Sequence, residues 1–171
     1  AMLFAVATQA DGDFAVTAPF QVLEEGRGTV QISEVMPSPV YDYNGDGLLD
    51  NDDEYVELYN PGPIPVLLQG WQLTDRRGDE NDKRRFTFGD GQFISGGGRL
   101  VLLRSETYIN LDDDDDYVRL LDAEGDEVDS FGWHLAPSGG SYGRPPDETK
   151  WQTDTVPTPG ELYKGRHGTG T

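Results

Sequence analysis

The sequence predicts an all-β protein, a sandwich of short antiparallel strands, on three observations. Seven short segments rich in Val, Ile, Leu, Tyr, Phe and Trp recur between turn signals. With 22 glycines and 11 prolines among 171 residues, turn formers are abundant. No stretch keeps an apolar i, i+3, i+4, i+7 stripe over three turns, so helix is minor at most.

Taken in order, residues 2–23 hold two β-like runs, LFAVAT and FAVTAPFQVL, separated by Asp11-Gly12-Asp13. An Asp-Gly pair between apolar runs is a hairpin signal. The opening AMLFAVATQA has an apolar run of only about seven residues with no basic segment before it, and it reads as a strand rather than a signal peptide. The polar EEGRG at 24–28 marks a boundary. The expected organisation is therefore residues 1–28 as an added hairpin, end of a preceding domain or linker, 29–163 as the sandwich and 164–171 as a flexible tail, fraying after about Gly165.

The strand segments are TVQISEVM (29–36), EYVELYN (54–60), WQLTD (71–75), RFTF (85–88), RLVLLR (99–104), DYVRLL (116–121) and EVDSFGW (127–133). In the second, Val56 and Leu58 fall on one face and Tyr55, Glu57 and Tyr59 on the other, the pattern of a half-buried strand. Val118 and Leu120 repeat it. Between strands, NPGPIPV sets Pro61, Pro63 and Pro65 in a rigid extended loop, GGG at 96–98 is a turn, and DRRGDENDKRR at 75–85 reads as an exposed loop. The segment from Pro137 lacks periodicity and is expected to wrap the sandwich.

A net charge of −19 and a pI near 4.1 oppose contact with a polyphosphate backbone, so nucleic acid is excluded as a partner. The absence of cysteine excludes disulfides, thiolate nucleophiles and Cys-ligated metals. No apolar stretch approaches the roughly 20 residues of a spanning helix, so no direct membrane insertion is expected. Carboxylates at this density are hard oxygen ligands suited to divalent cations.

One segment concentrates them. In DYNGDGLLDNDD, Asp42, Asn44 and Asp46 stand at the first, third and fifth positions, Gly47 at the sixth, Leu48 at the seventh, Asp50 at the ninth and Asp53 at the twelfth. This is the spacing of an EF-type calcium loop. Alternate residues of a tightly wound loop point inward, glycine permits the turn after the third ligand, and Leu48 offers its carbonyl. Leu49 is expected to anchor the loop apolarly, and Asp53 or Glu54 to close the shell. Calcium is thus the expected cofactor, held by Asp42, Asn44, Asp46, Leu48, Asp50 and Asp53. A strand follows in place of an exiting helix, so the site reads as a structural brace rather than a switch. Affinity suited to extracellular calcium, together with the acidity, points to a secreted or cell-surface location. Asp in place of Glu at the twelfth position resembles the loops of dockerins more than those of cytosolic sensors.

The run Asp112–Asp116, with Asp122 or Asp126 across a turn, is a weaker candidate for a second cation and reads first as a solvated loop. Glu34 and Glu57, single carboxylates on strands flanking the calcium loop, read first as outward-facing, with pairing to Arg residues or shaping of the site as the alternative. His134 and His167 are the only histidines, and neither GxSxG nor HExxH occurs, so no catalytic constellation is present. Trp71 reads as core. Trp151, in a polar segment, is the expected exposed ring and supports an alternative carbohydrate-binding reading.

The ordered set VQISEVMPSP, DEYVELYNPGP, LQGWQLTD, FTF, ISGGGRLVLL, DDYVRLLDAEGDEVDSFGW, GGSYGRPPDETKW and PTPG, from about Val30 to Gly160, resembles the lamin tail domain. That family is an immunoglobulin-like β-sandwich also found in bacterial secreted and surface proteins, often with a DxNxDG insertion between the first two strands. The resemblance implies a non-catalytic module for adhesion, interaction or attachment, frequently appended to secreted hydrolases, and supplies no catalytic residues. A protein partner or a cell-surface polysaccharide is the expected ligand, as part of a larger secreted protein.

Overall fold

Each of the seven expected segments carries a strand, and the strands assemble into two antiparallel sheets. The structure is a computed structural model that describes residues 30–161, apart from 82–83 and 147–148, and four short strands before them. Those are β1 (Met2–Leu3), β2 (Val6–Thr8), β3 (Phe14–Val16) and β4 (Phe20–Gln21). β2 pairs antiparallel with β3 and β1 with β4, as two separate two-stranded sheets. The expected turn at Asp11-Gly12-Asp13, the boundary at 24–28 and the tail that includes His167 lie outside the described residues.

The sandwich strands are β5 (Gln31–Met36), β6 (Tyr55–Tyr59), β7 (Val66–Leu67), β8 (Gln72–Asp75), β9 (Phe86–Thr87), β10 (Phe93–Ile94), β11 (Arg99–Leu103), β12 (Asp115–Leu121), β13 (Glu127–His134), β14 (Ser141–Gly143) and β15 (Gln152–Thr155). One sheet has the order β11-β6-β5-β14-β15 and the other β13-β12-β8-β9; β7 and β10 form a separate pair. Val56 and Leu58 of the first sheet share one apolar cluster with Leu73, Val118 and Leu120 of the second, closed by Trp71, Phe88 and Trp133. Burying these side chains is the main force joining the sheets.

The alternation read in β6 is present, but its second face is not exposed. Tyr55 and Glu57 are buried as fully as Val56 and Leu58. That face is covered by Tyr43, whose ring meets Tyr55 edge-on at 5.4 Å, and by the C-terminal segment, whose Gly160 amide donates to Glu57 Oε2 at 2.7 Å. The segment from Pro137, expected to wrap the sandwich, also takes part in a sheet. β14 pairs with β5 and β15 with β14, so it adds two strands to the first sheet. Its strands are short and rich in Ser, Gly and Thr, which hides them from a hydrophobicity pattern.

Glycine is required at the 96–98 turn. A Cβ on Gly96 would stand 2.4 Å from the backbone carbon and oxygen of Pro63, so the turn packs directly on the proline loop. Asn60 locks the same corner, its Nδ2 donating to the carbonyls of Ile64 and Ile94. The expected exposed loop at 75–85 begins instead with a buried Asp75. Its Oδ1 accepts from the Gly78 amide at 2.6 Å and caps a short helix, α1 (Arg76–Glu80). A second short helix, α2 (Arg104–Thr107), follows β11.

Candidate metal centre

The loop 42–53 leaves β5 and returns as β6 through a 3₁₀ turn at Asn51–Asp53. Its acidic side chains fold back on its own backbone. Asp42 Oδ1 and Oδ2 accept from the amides of Gly45 and Gly47 at 2.6 and 2.8 Å, Asn44 Oδ1 from Asp46 at 2.9 Å, and Asp46 Oδ1 from Leu48 at 2.8 Å. Each bond is one that Asp and Asn make readily two to five residues on, which is why this composition winds here. Gly47, at φ +87°, turns the chain after Asp46 in a conformation that resists a side chain.

Asp53 closes the loop. It is fully buried; its Oδ1 accepts from the amides of Tyr43 and Asn44 at 2.7 and 3.0 Å, and its Oδ2 from Asp50 at 3.2 Å. Asp50 in turn accepts from the Asp52 amide at 2.8 Å, a reciprocal cap on the 3₁₀ turn. Glu54, the other candidate for the twelfth ligand, is committed elsewhere. Its Oε1 pairs with Arg104 at 3.1 Å and its Oε2 accepts from the Leu111 amide at 2.8 Å. Burial pushes the Glu54 carboxyl up to about 7, against the lowering effects of the Leu111 amide and Arg104.

The loop's donors are all oxygens, as calcium requires, but they are not gathered. Among the described residues no group of three or more His, Asp or Glu side chains is close enough to hold a metal ion. Leu49, expected as an apolar anchor, is 59% exposed and Leu48 is 61% exposed. The anchoring falls instead to Tyr43, which packs between Tyr41 and Tyr55 and whose hydroxyl is raised to about 12 by burial and by nearby Glu34.

The acidic run 112–116 divides. Asp116 is buried and accepts from the amides of Asp112 and Tyr117, while Asp112 and Asp115 pair on the surface with Arg77 and Arg76. Burial raises the pKa of Asp116 and of Asp113. Of the two acids across the turn, Asp122 is buried and its Oδ1 accepts from the Asp126 amide. Asp112 to Asp115 are exposed, as a solvated loop would be, and of the run only Asp116 is buried.

Sequence reasoning missed the buried carboxylates of β5 and β6. Glu34 accepts from Ser141 Oγ, the Thr158 amide and Thr158 Oγ1. Glu57 accepts from Ser33 Oγ and Gly160 N and pairs with Arg99 at 2.5 Å. Both read first as outward-facing, which their burial corrects; the alternative of pairing with an Arg holds for Glu57. The available signal was PTPG, a short segment that docks its own amides on them. Trp71 is buried, as expected. Trp151 is not an open ring: it stacks on Phe131 at 3.8 Å between centroids, and the Arg144 guanidinium lies over it at 5.1 Å. Trp151 is thus half-buried rather than the exposed ring expected. His134 is exposed at the end of β13, an edge strand.

The family model described as Lamin Tail Domain matches residues 24–134, more than half of the chain. The chain belongs to the lamin tail domain family. No curated protein matches it. The lamin tail domain is an immunoglobulin-like, non-catalytic family, in keeping with the two antiparallel sheets found here. Residues 24–134 take in β5 to β13 and the whole 42–53 loop; β14 and β15 lie beyond the matched stretch and complete the first sheet.

Proposed function

We propose that this lamin tail domain is a non-catalytic, calcium-stabilised interaction and adhesion module of a secreted or cell-surface protein. The observation that carries the reading is the 42–53 loop, wound by its own Asx bonds and fastened to β6 through buried Asp53. Asp42, Asn44, Asp46, Asp50 and Asp53, with the Leu48 carbonyl, would hold the ion. Bound calcium would supply the positive charge that lets several carboxylates share one place.

Binding has to draw these carboxylates together, so a conformational response belongs to the reading. Tyr41 and Tyr43 report it, because their rings lie 6.2 Å apart beside the ligand residues. Affinity is expected at roughly 10⁻⁴–10⁻³ M, the range of extracellular modules. A brace of that kind has its use where calcium is millimolar, which with the charge of −19 supports the extracellular assignment. The partner is a protein or a cell-surface polysaccharide.

The test is thermal melting in chelator and in about 10 mM calcium. Linkage predicts a rise of roughly 3–10 °C for a chain of this size. Asp46→Ala is expected to remove most of it. An unchanged melting curve would sink the calcium reading.

A further inference from the structure

Asn44 and Gly45 form an Asn-Gly dipeptide within the loop. An asparagine side chain can close on the next backbone nitrogen to give a five-membered succinimide, and the chief steric obstacle is the following Cβ, which Gly45 lacks. Apart from its chain neighbours, nothing lies within 4 Å of where a Cβ on Gly45 would stand, so packing does not crowd this position.

Two hydrogen bonds engage the reacting groups. The Gly45 amide donates to Asp42 Oδ1 at 2.6 Å, so the attacking nitrogen has a carboxylate oxygen on its proton. Asn44 Oδ1 accepts from the Asp46 amide at 2.9 Å, so the carbon under attack has a donor on its oxygen, where negative charge develops. We propose that this arrangement makes Asn44 a site of self-promoted deamidation in the calcium-free loop.

The steps balance without a redox partner. The Gly45 nitrogen gives its proton to Asp42 and bonds to Asn44 Cγ, forming a tetrahedral intermediate whose oxyanion the Asp46 amide holds. The Cγ–Nδ2 bond then breaks, Nδ2 takes the proton back from Asp42, and ammonia leaves. Water opens the succinimide at either carbonyl to give aspartate or isoaspartate. The aspartate product keeps an oxygen ligand at the third loop position. The isoaspartate product adds a methylene to the backbone and breaks the alternate spacing.

A second consequence rests on the calcium reading. The ion would take up the Asp42 carboxylate and Asn44 Oδ1, the two groups the reaction uses, so an occupied loop is protected. A chain that has spent time without calcium would be marked irreversibly.

The experiment incubates the full chain in chelator, folded and in denaturant, and quantifies aspartate and isoaspartate at position 44 by peptide mapping and mass spectrometry. The folded chain is expected to react faster than the denatured one, on the order of tenfold, less than a well-matched general base gives because a carboxylate is a weak base toward an amide. Asp42→Asn, with its fold checked by circular dichroism, is expected to lose that excess. A folded rate at or below the denatured rate overturns the proposal and leaves the calcium reading untouched. A fast folded rate that millimolar calcium does not slow supports the deamidation site and counts against calcium in the loop.

Discussion

Glu34 and Glu57 stand directly opposite one another on β5 and β6, both buried, and are satisfied by different means. Glu57 is neutralised by Arg99, whereas Glu34 is held by the hydroxyls of Ser141 and Thr158 and the Thr158 amide. A register shift between Ile32 and Glu34 places Ser33 where its hydroxyl donates to Glu57 Oε1 at 2.5 Å. The pair thereby ties the C-terminal segment to the centre of the first sheet.

The pKa of Glu34 is raised, first by burial and also by the charge of Glu57, over the opposing pull of Ser141 and Thr158. A carboxyl whose folded pKa exceeds its unfolded one contributes stability that is complete below the unfolded value and lost as pH rises through the folded value. The wild type is therefore expected to lose stability relative to Glu34→Gln as pH rises from about 4 toward neutrality. Urea midpoints of the two proteins across that window check the sign.

Arg99 is 9% exposed and Glu57 is 1% exposed, so removing the cation strands a buried carboxylate. Arg99→Ala is expected to cost about 3–5 kcal/mol. Adding Glu57→Gln should recover part of that loss, and chemical denaturation of the single and double variants measures the coupling.

Gly96→Ala places a methyl against the Pro63 carbonyl, with backbone on both sides of the contact. A loss of about 2–3 kcal/mol in denaturant stability is expected. The neighbouring Gly97→Ala is strained by its φ of +68° but meets no atom within 4 Å, so its loss should be smaller.

The two ends of the candidate calcium loop should respond differently. Asp53→Ala removes the acceptor of three loop amides at a buried position and should cost about 2–3 kcal/mol even in chelator. Asp46 is exposed, so Asp46→Ala should change stability in chelator by less than about 1 kcal/mol. Denaturation in chelator separates the two.

The core was legible because it repeats at the strand period. Val56 and Leu58, or Val118 and Leu120, could be assigned to one apolar layer from alternation alone. The opposite face of β6 was not, because Tyr55 is met by Tyr43 of the preceding loop and Glu57 by chain about 100 residues later, joined through the Gly160 amide. No local pattern announces such a pairing. β14 and β15 escaped for a related reason, being short polar strands whose place depends on partners already in the sheet. In the loop, the order of the candidate ligand residues was plain, and the structure adds how their side chains bond. It places Asp53 at the hinge, leaves Leu48 and Leu49 in solvent and commits Glu54 to Arg104 and Leu111.

Equilibrium dialysis of the chelator-stripped chain against radioactive calcium tests the central claim most directly. One ion bound per chain at millimolar calcium, and its loss in Asp46→Ala, is the expected result. Calcium no more concentrated inside the dialysis bag than the counter-ions of a chain of charge −19 require, and equal for the two proteins once the charge Asp46→Ala removes is allowed for, would contradict it.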